Sequence, residues 1–338
     1  MSQTLSVGII GLGVGEQHIN GYSSHPSCTI SKICDFDENK LIEVSNKYPN
    51  LVTTLDPEEI LEDPSIDIVS IASYDNHHAS QVVKALKHNK NIFVEKPLCL
   101  HQTELEDIFK NLVDKPNLFL SSNLILRKTP RFRNLRQKII DGLLGNLYYT
   151  EANYDYGRIS KVHNGWRGQI PFYSVMHGGG IHMIDLIMWL NSQRVRSVTA
   201  VATNIASRET SFDFPDCISA NLKLDNSSIA SVTANFPSVV PHGHRLSVFG
   251  DKGTFHHGPL GCAYFWSRDP QSNPQNVTDS YPGTRKGDLL FEFIDKILNP
   301  WKQITIDTQE VLDAMSVSIA IEKSLSSASP QDVEYYTL

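Results

Sequence analysis

The sequence predicts an α/β protein in which a doubly wound parallel sheet is followed by an α+β domain built on a large, mainly antiparallel sheet. Short apolar runs alternate with helical patterns over residues 5–122, which is typical of parallel strands joined by crossover helices. Beyond residue 130, strand-like runs follow one another with turn signals between them, as antiparallel strands do. Because 338 residues suffice for two cores, we expect domains at residues 1–122 and 123–338.

The strands of the first domain are predicted from nearly continuous apolar runs, because a doubly wound sheet is covered on both faces. The strand candidates are residues 5–10, 29–34, 66–72, 91–94 and 118–121. Residues 77–88, between two of these runs, have helical spacing. The order of strands and helices is therefore that of a mononucleotide-binding unit, repeated.

The second domain begins where this pattern changes. Its predicted elements are a helix over residues 131–141 and strands at 147–154, 218–224, 229–236 and 245–249. Residues 225–228 and 250–253 have the composition of hairpin turns, so we expect antiparallel strands. Two amphipathic helices, at residues 286–298 and 307–325, are expected to cover one face of this sheet.

A glycine turn follows the first predicted strand. In a Rossmann turn the first glycine permits a tight bend, the second lets the backbone approach a pyrophosphate, and the next helix offers its N-terminus to that anion. Gly11, Gly13 and Gly15 have this arrangement, although Glu16 occupies the place of the usual sixth-position glycine. With the strand before the turn and the helix after it, we expect Gly11, Gly13, Val14 and Gly15 to bind a dinucleotide.

Asp35 ends the second predicted strand, about 20 residues beyond the glycines. A carboxylate in this place accepts hydrogen bonds from the adenosine ribose and repels a 2′-phosphate. Residues 36–38 contain no Arg or Lys, so NAD is favoured over NADP as the cofactor. The alternative is that Asp35 is only a helix-capping or turn residue.

Lys96 follows the strand at residues 91–94, within the tripeptide Glu95-Lys96-Pro97. Open α/β sheets bind ligands at the carboxyl ends of their strands. A partly buried lysine at that edge has a lowered pKa and can deprotonate a substrate hydroxyl. The alternative is a surface lysine in a turn.

His182 and Asp185 lie three residues apart in a predicted helix, and therefore on one helix face. We expect Asp185 to orient the imidazole of His182, and the glycines just before them favour a functional role; that His182 and Asp185 belong to the catalytic set is what the family resemblance given below implies. The alternative is that both residues only anchor the helix to its neighbours.

The segment over residues 154–177 is polar, aromatic and without a clear period. Such a loop beside a catalytic histidine can bind a polyhydroxy substrate by hydrogen bonds and ring stacking, whereas the alternative is a plain surface loop. The residues expected to bind substrate are Tyr154, Tyr156, Arg158, His163, Trp166 and Arg167.

Together these motifs resemble one family, the glucose-fructose oxidoreductase, inositol dehydrogenase and rhizopine catabolism (Gfo/Idh/MocA) oxidoreductases. The resemblance covers nearly the whole chain and depends on the order and spacing of the motifs. They are the glycine turn, residues 67–72 followed by Ser73 and His78, residues 95–97, residues 123–130 with Arg127, and residues 178–185.

The resemblance implies an NAD-dependent oxidoreductase acting on a secondary alcohol of a sugar, sugar derivative, nucleotide sugar or cyclitol. Lys96 and His182 would face the nicotinamide and the reacting carbon as acid/base groups, and Lys96–Pro97 would be a cis peptide. Residues assigned on this basis are Ser73, His78, Glu95 and Lys96 to the cofactor, and Asn123 and Arg127 to the substrate. Such proteins often assemble through the open face of the second sheet, so we expect a homodimer or homotetramer.

Two departures from the family pattern leave other functions open. Residues 73–75 read Ser-Tyr-Asp where relatives have Thr-Pro-Asn, and Gly178 stands where many have an aspartate. One alternative is a regulatory protein that binds NAD(H) without turnover, although the presence of Lys96 and His182 argues against it. Another is a redox-assisted sugar lyase or hydrolase that keeps its NAD bound.

Composition and charge argue against several classes of protein. The net charge of −7 comes from interspersed acidic and basic residues, not from a basic block of the kind that binds nucleic acid. The apolar runs fall short of the ~20 residues that span a bilayer, so we expect no membrane partner. Because no signal-peptide pattern follows Met1, we expect a cytoplasmic protein.

The cysteines and the clustered histidines do not predict a metal site. The five cysteines are scattered, without a C-x-x-C pair, which fits buried thiols in a reducing compartment. His242, His244, His256 and His257 lack the spacing of metal ligands. We therefore expect no metal, and we expect one of these histidines to line the substrate pocket.

Overall fold

The computed structural model describes residues 4–338, which divide into two compact units. The first unit contains residues up to Ile125 together with Thr284–Leu312 and Tyr336–Leu338. The second unit contains Leu126–Gly283 and Asp313–Tyr335. The expected second domain, residues 123–338, therefore includes a long segment that the structure places in the first unit.

Strands and helices alternate through the first part of the chain. They are β1 (Leu5–Ile10), α1 (Gly15–Ser23), β2 (Cys28–Cys34), α2 (Glu38–Lys47), β3 (Val52–Thr54), α3 (Glu58–Leu61), β4 (Ile68–Ile71), α4 (Asp75–Lys87), β5 (Asn91–Val94), α5 (Gln102–Val113) and β6 (Leu120–Ser122). Within residues 4–338 these strands form one parallel sheet in the order β3-β2-β1-β4-β5-β6. This confirms the predicted Rossmann sheet, whose strand order reverses between β1 and β4, the place where such sheets bind ligands.

The rest of the chain forms the second sheet and the helices around it. The elements are α6 (Pro130–Ile140), β7 (Leu147–Asp155), α7 (Ser160–His163), a π-helical turn (Met176–Gly180), α8 (Ile181–Asn191), β8 (Val195–Thr203), β9 (Cys217–Leu224), β10 (Ile229–Asn235), β11 (Gly243–Gly250), β12 (Thr254–Gly258), β13 (Gly261–Phe265), β14 (Gln275–Asn276), α9 (Leu290–Leu298), α10 (Thr308–Ser327) and β15 (Gln331–Asp332). Among the described residues the strand order is β14-β13-β12-β11-β7-β10-β9-β8-β15.

The second sheet is mainly antiparallel, as predicted, with β7 and β10 running parallel in its centre. The two predicted hairpin turns join antiparallel partners, β9 with β10 and β11 with β12. Side chains alternate between the faces of each strand, so that Thr150, Ala152 and Tyr154 of β7 are buried on one face. Apolar residues of α8, including Met183 and Leu186, pack in the same core.

The tail helices differ from the expectation that both cover the second sheet. Within the first unit, α9 packs on α1 and on the parallel sheet: the rings of Phe93 and Phe293 lie 5.7 Å apart. Gly21 permits this approach, because a Cβ there would lie 2.7 Å from a side-chain carbon of Leu290. Val317 and Ile321 of α10 belong to the core of the second unit, so the expectation holds for that part of α10.

Among residues 4–338, no helix combines the length and the apolar character that a membrane span requires. The cysteines, all within this range, are free thiols, and four of them are buried.

Candidate active site

The glycine turn after β1 exposes bare backbone. Gly11 has a φ of +85°, and a Cβ there would lie 2.4 Å from the carbonyl oxygen of Ala72, so only glycine fits. At Gly13, no described atom lies within 4 Å of the place of a Cβ, which leaves the peptide open to a ligand. Because α1 begins at Gly15, its N-terminal N–H groups and positive dipole end adjoin the turn. The turn therefore fits a pyrophosphate.

Glu16, which replaces the sixth-position glycine, is neutralised by two lysines of the next helix. Its carboxylate oxygens accept hydrogen bonds from Lys40 and Lys47, each at 2.7 Å. These hydrogen bonds lower the pKa of Glu16 despite the opposing effect of burial. The acidic side chain near the anion-binding helix end is therefore balanced by positive charge.

Asp35 stabilises the glycine turn and also lines a cavity. Its Oδ2 accepts the N–H of Leu12 at 2.7 Å, and its Oδ1 accepts the N–H of Asp37 at 3.0 Å. Asp35 is therefore also a turn residue, the role considered above as the alternative to ribose binding. Each oxygen keeps a second lone pair with which it can also accept a ribose hydroxyl.

The cavity beside Asp35 has a volume of about 370 Å³. It is lined by Ile10, Gly11, Cys34, Asp35, Phe36, Leu55, Pro57, Ser73, Tyr74, His77 and Gln81. The rings of Phe36 and Tyr74 lie edge to face, 5.4 Å apart, and Phe36 is 71% exposed. Apolar and aromatic walls next to a carboxylate suit a nucleoside. Sequence reasoning missed Phe36, although an exposed aromatic residue beside a predicted ribose ligand is a usable signal.

His78 binds backbone rather than facing this cavity. Its ring nitrogens lie 2.6 Å from the carbonyl oxygen of Pro97 and 3.1 Å from that of Ser73, and the residue is 1% exposed. The assignment of His78 to the cofactor is corrected accordingly, because both ring nitrogens already bind the protein. His78 connects the loop after β4 to the turn after β5. Ser73 itself lines the cavity and donates its hydroxyl to Gln81 at 2.7 Å.

Glu95 lies at the centre of a buried polar cluster. Its carboxylate is 3.3 Å from a ring nitrogen of His18 and accepts the side-chain amide of Asn123 at 2.6 Å. Burial alone would raise the pKa of Glu95, but the positive charge of Lys286, with smaller contributions from His18 and Lys96, holds that pKa well below its usual range. Glu95 is therefore a buried carboxylate beside Lys96, whose peptide bond to Pro97 is cis.

Asn123 belongs to this cluster. It is fully buried, and its amide also donates to the backbone oxygen of Lys286 at 3.0 Å. Asn123 and Glu95 were assigned to the substrate and the cofactor, respectively. In the structure these two side chains bind each other beneath the surface, and Oδ1 of Asn123 has no hydrogen-bond partner among the described residues. Their assignment to substrate and cofactor stays a prediction.

In the second unit, Gly178 and Gly179 make room for two tyrosine rings. A Cβ at Gly178 would lie 2.2 Å from the hydroxyl oxygen of Tyr173, and a Cβ at Gly179 would lie 2.5 Å from a ring carbon of Tyr154. These glycines form a π-helical turn directly before α8, and such turns are frequent at functional sites. The space of a side chain at position 178 is therefore occupied by the hydroxyl of Tyr173, which belongs to the polar and aromatic segment expected to bind substrate.

His182 lies in the first turn of α8 and is 5% exposed. Its ring lies 6.1 Å from that of Tyr154, with an interplanar angle of 19°. The ring of Tyr156 also stacks on that of Tyr154, with the two centroids 6.1 Å apart. Burial raises the pKa of Tyr154, which keeps its hydroxyl protonated. The structure thus brings Tyr154 of β7, and Tyr156 just after the strand, together with His182.

Asp185 binds Arg127 instead of orienting His182. The Nε of Arg127 lies 3.1 and 3.0 Å from the two carboxylate oxygens, and its Nη2 lies 2.6 Å from Oδ1. Arg127 and Asp185 are 3% and 1% exposed. Burial raises the pKa of Asp185, and the guanidinium opposes this effect. The expectations of Asp185 as a catalytic residue and of Arg127 as a substrate ligand are corrected, because the two side chains form a buried ion pair with each other.

The remaining loop residues have separate surroundings. Arg158 lies over the Tyr156 ring at 5.8 Å, close to the tyrosine stack. Arg167 lies over Trp166 at 4.5 Å. His163 forms a hydrogen bond to the Ser207 hydroxyl at 2.9 Å, so its ring connects α7 to the helical turn that contains Ser207.

Two of the clustered histidines lie close to Tyr154. The rings of His242 and His244 lie 5.3 and 5.1 Å from that of Tyr154, and both line a second cavity with His257. His256 is on the other face of β12 and bonds to Ser247. Within residues 4–338, no group of three or more His, Cys, Asp or Glu side chains is arranged to hold a metal ion.

Comparison with known proteins agrees with this geometry. Residues 5–123 match the family model described as the oxidoreductase family with an NAD-binding Rossmann fold, and residues 132–256 match the GFO/IDH/MocA C-terminal domain. The chain is 23% identical over 257 residues to the myo-inositol 2-dehydrogenase of Thermotoga maritima, covering 74% of each. It is 26% identical over 271 residues to the scyllo-inositol 2-dehydrogenase (NAD(+)) of Bacillus subtilis, covering 77% of this chain and 75% of that one.

Among solved structures, levoglucosan dehydrogenase in complex with NADH and levoglucosan has a TM-score of 0.86 to this chain. The two are 20% identical, and the match covers 98% of this chain and 100% of the other. At this identity the likeness establishes the fold.

Proposed function

We propose, since this chain belongs to the GFO/IDH/MocA family of NAD-binding oxidoreductases, that it transfers a hydride between NAD and a secondary alcohol or ketone. The proposed substrate is a sugar, sugar derivative, nucleotide sugar or cyclitol. The observation that carries the proposal is the placement of His182, an imidazole packed against the Tyr154 ring at the start of α8. Imidazole is the side chain that most readily exchanges a proton near neutral pH.

The first unit fits the cofactor. The bare backbone of Gly11, Gly13, Val14 and Gly15 would hold the pyrophosphate, and Asp35 would accept the ribose hydroxyls. The cavity beside Asp35 would take the adenine ring, with Ser73 at its wall. When bound, NAD supplies the hydride acceptor, or NADH the donor, for the reaction.

The protein must remove the hydroxyl proton when the alcohol is oxidised. We assign this step to Lys96 or His182, and the same group returns the proton in the reverse direction. The low pKa of Glu95 keeps a negative charge next to Lys96. A lysine beside a carboxylate is suited to bind the hydroxyl oxygen, because its side chain carries only hydrogen-bond donors. This supports His182 as the group that accepts the proton.

The tyrosines and arginines around His182 are the proposed substrate contacts. The Tyr154 and Tyr156 rings stack on each other beside His182, and Arg158 and Arg167 offer hydrogen-bond donors. We assign Arg127 and Asp185 to positioning, because their ion pair fixes α8 and with it His182.

We further propose that the chain forms a homodimer or homotetramer through the open face of the second sheet. That face presents apolar side chains, among them Val201, which is 70% exposed, and Ile229, which is 55% exposed. Tyr149 and Phe249 stack on the same face at 5.5 Å. Sedimentation of the purified protein tests this proposal: a dimer or tetramer is expected, and a monomer at micromolar concentration contradicts it.

The function is tested by adding NAD⁺ and a panel of sugars and cyclitols to the purified protein. The expected result is an increase in the nicotinamide absorbance band of NADH with at least one substrate. Absence of the band with every substrate contradicts the proposal. NAD that copurifies, together with turnover but no net NADH release, would indicate the redox-assisted lyase or hydrolase instead.

A further inference from the structure

The second unit contains a cavity of about 320 Å³ that the proposed hydride transfer does not use. Its volume falls within the range of small-molecule sites. It is lined by Arg131, Asp155, Pro241, His242, Gly243, His244, Arg245, His257, Gly258, Pro259 and Tyr281. Helix α6, strands β7, β11 and β12 and the loop that carries Tyr281 all contribute to it, so the polar groups come from distant parts of the sequence.

Arg131 brings a positive charge to this cavity. Its Nε and Nη2 donate to the backbone oxygen of Asp279 at 3.2 and 2.7 Å, and its Nη1 lies 3.0 Å from Nδ1 of His257. Both acceptors are uncharged groups, so these bonds hold the guanidinium in place without neutralising it. Asp155 and Arg245 also line the cavity, but they pair with each other at 2.5 and 3.2 Å and cancel each other's charge.

His257 presents a buried hydrogen-bond donor. A guanidinium can only donate, so Nδ1 of His257 must be the acceptor and the ring proton must be on Nε2. Burial, with the nearby charge of Arg131, lowers the pKa of His257 to about 4, which keeps the ring in this neutral form at pH 7. The residue is 6% exposed, and Nε2 has no hydrogen-bond partner among the described residues. Such a donor is unfavourable unless a ligand or water accepts its proton.

Tyr281 lines the same cavity and packs against both donors. Its hydroxyl accepts the backbone N–H of His244 at 3.1 Å and also bonds to Nδ1 of that histidine. Its ring packs against His257, with centroids 4.4 Å apart, and lies under the guanidinium of Arg131 at 5.5 Å. The donors are therefore fixed before a ligand arrives, which reduces the entropic cost of binding.

We infer that this cavity binds an anionic group of the substrate, a carboxylate or a phosphate, through Arg131 and Nε2 of His257. The Tyr154 ring lies 6.1 Å from the ring of His182, and 5.3 and 5.1 Å from the rings of His242 and His244, which line the cavity. The anion site is thus one aromatic ring away from the proposed acid/base group. This inference rests on the proposed function, and it makes the substrate a sugar acid or a sugar phosphate rather than a neutral sugar.

Binding is tested without turnover, on the full-length protein saturated with NAD⁺, by calorimetric titration. The probes are inorganic phosphate, D-glucuronate, D-glucose 6-phosphate and, as the neutral match, D-glucose. We expect at least one anionic probe to bind at least tenfold more tightly than glucose, and comparison of the phosphate and carboxylate probes identifies the preferred anion. The signal of the His257 ring in a ¹⁵N-edited NMR spectrum is expected to move with the same probe.

Variants locate the binding. R131Q and H257F are expected to abolish the preference for the anion, while R133Q, an exposed arginine two residues away on the same helix, retains it. If R131Q does not fold, the inference is tested by H257F, which keeps a ring of similar size, and by the NMR signal of His257 in the wild type. No preference for any anionic probe in the wild type, or a preference retained in both variants, overturns the inference. Anion binding without NADH formation from any sugar would contradict the proposed function and leave this site standing.

Discussion

The ion pair between Arg127 and Asp185 offers a sharp test of how α8 is held. Both side chains are nearly fully buried, and the guanidinium binds the carboxylate through two nitrogens. Removing one partner leaves the other charge buried and unpaired, which costs about 3–5 kcal/mol. We therefore expect R127M and D185N each to lower the free energy of unfolding of the second unit by this amount.

The assay is thermal and urea unfolding, followed by a signal from the second unit such as Trp189 fluorescence. For a unit of this size, about 2–4 °C of melting temperature is lost per kcal/mol, so a fall of about 6–20 °C is expected. The double variant R127M/D185L removes both charges and is expected to recover most of the loss, because an apolar pair can replace a buried ion pair. K323M, which removes an exposed pair with Glu334, serves as the control and costs at most about 1 kcal/mol.

Two results would refute this reasoning. One is a loss below about 1 kcal/mol in both single variants, the range of an exposed ion pair. The other is a double variant that is less stable than either single variant. If Asp185 instead acted on His182, D185N would change the pH profile of activity while R127M would not.

Three further predictions follow from the described contacts. G11A abolishes NAD⁺ binding in a fluorescence titration, because its Cβ would meet the Ala72 carbonyl at 2.4 Å; unchanged affinity contradicts this. E95Q makes stability less sensitive to acid. Folding depresses the pKa of Glu95, so the ionised carboxylate stabilises the folded state above the pKa that Glu95 has in the unfolded chain. This stabilisation is lost as the pH falls below about 4.5. G178A costs about 1–3 kcal/mol through its clash with the Tyr173 hydroxyl, and Y173F recovers part of that loss; equal stability of G178A and wild type argues against it.

The parallel sheet was predictable because its signals are local. Strands such as Ile68–Ile71 are buried along their whole length, and the glycine turn lies directly between β1 and α1. Strand β3 was missed, since it has three residues and two of them are exposed. The return of α9 to the first unit was also missed, because its amphipathic pattern shows that it packs but not on which sheet.

The candidate site was only partly predictable. Tyr154 and His182 were both selected from the sequence, and the structure places them in contact. The partner of Asp185 was misassigned because i,i+3 spacing favours His182, whereas the bond that forms joins residues 58 positions apart. The anion site was not foreseen, since Arg131 and His257 are 126 positions apart and no local pattern links them.

The most direct measurement of the central claim is the rate of NADH formation by wild type, K96A and H182A with the best substrate of the panel. The account predicts that wild type forms NADH and that loss of the acid/base group lowers the rate about 10²–10⁴-fold, with H182A the more affected variant. H88A, on an exposed histidine, should match wild type. Wild-type rates in both K96A and H182A would contradict the account.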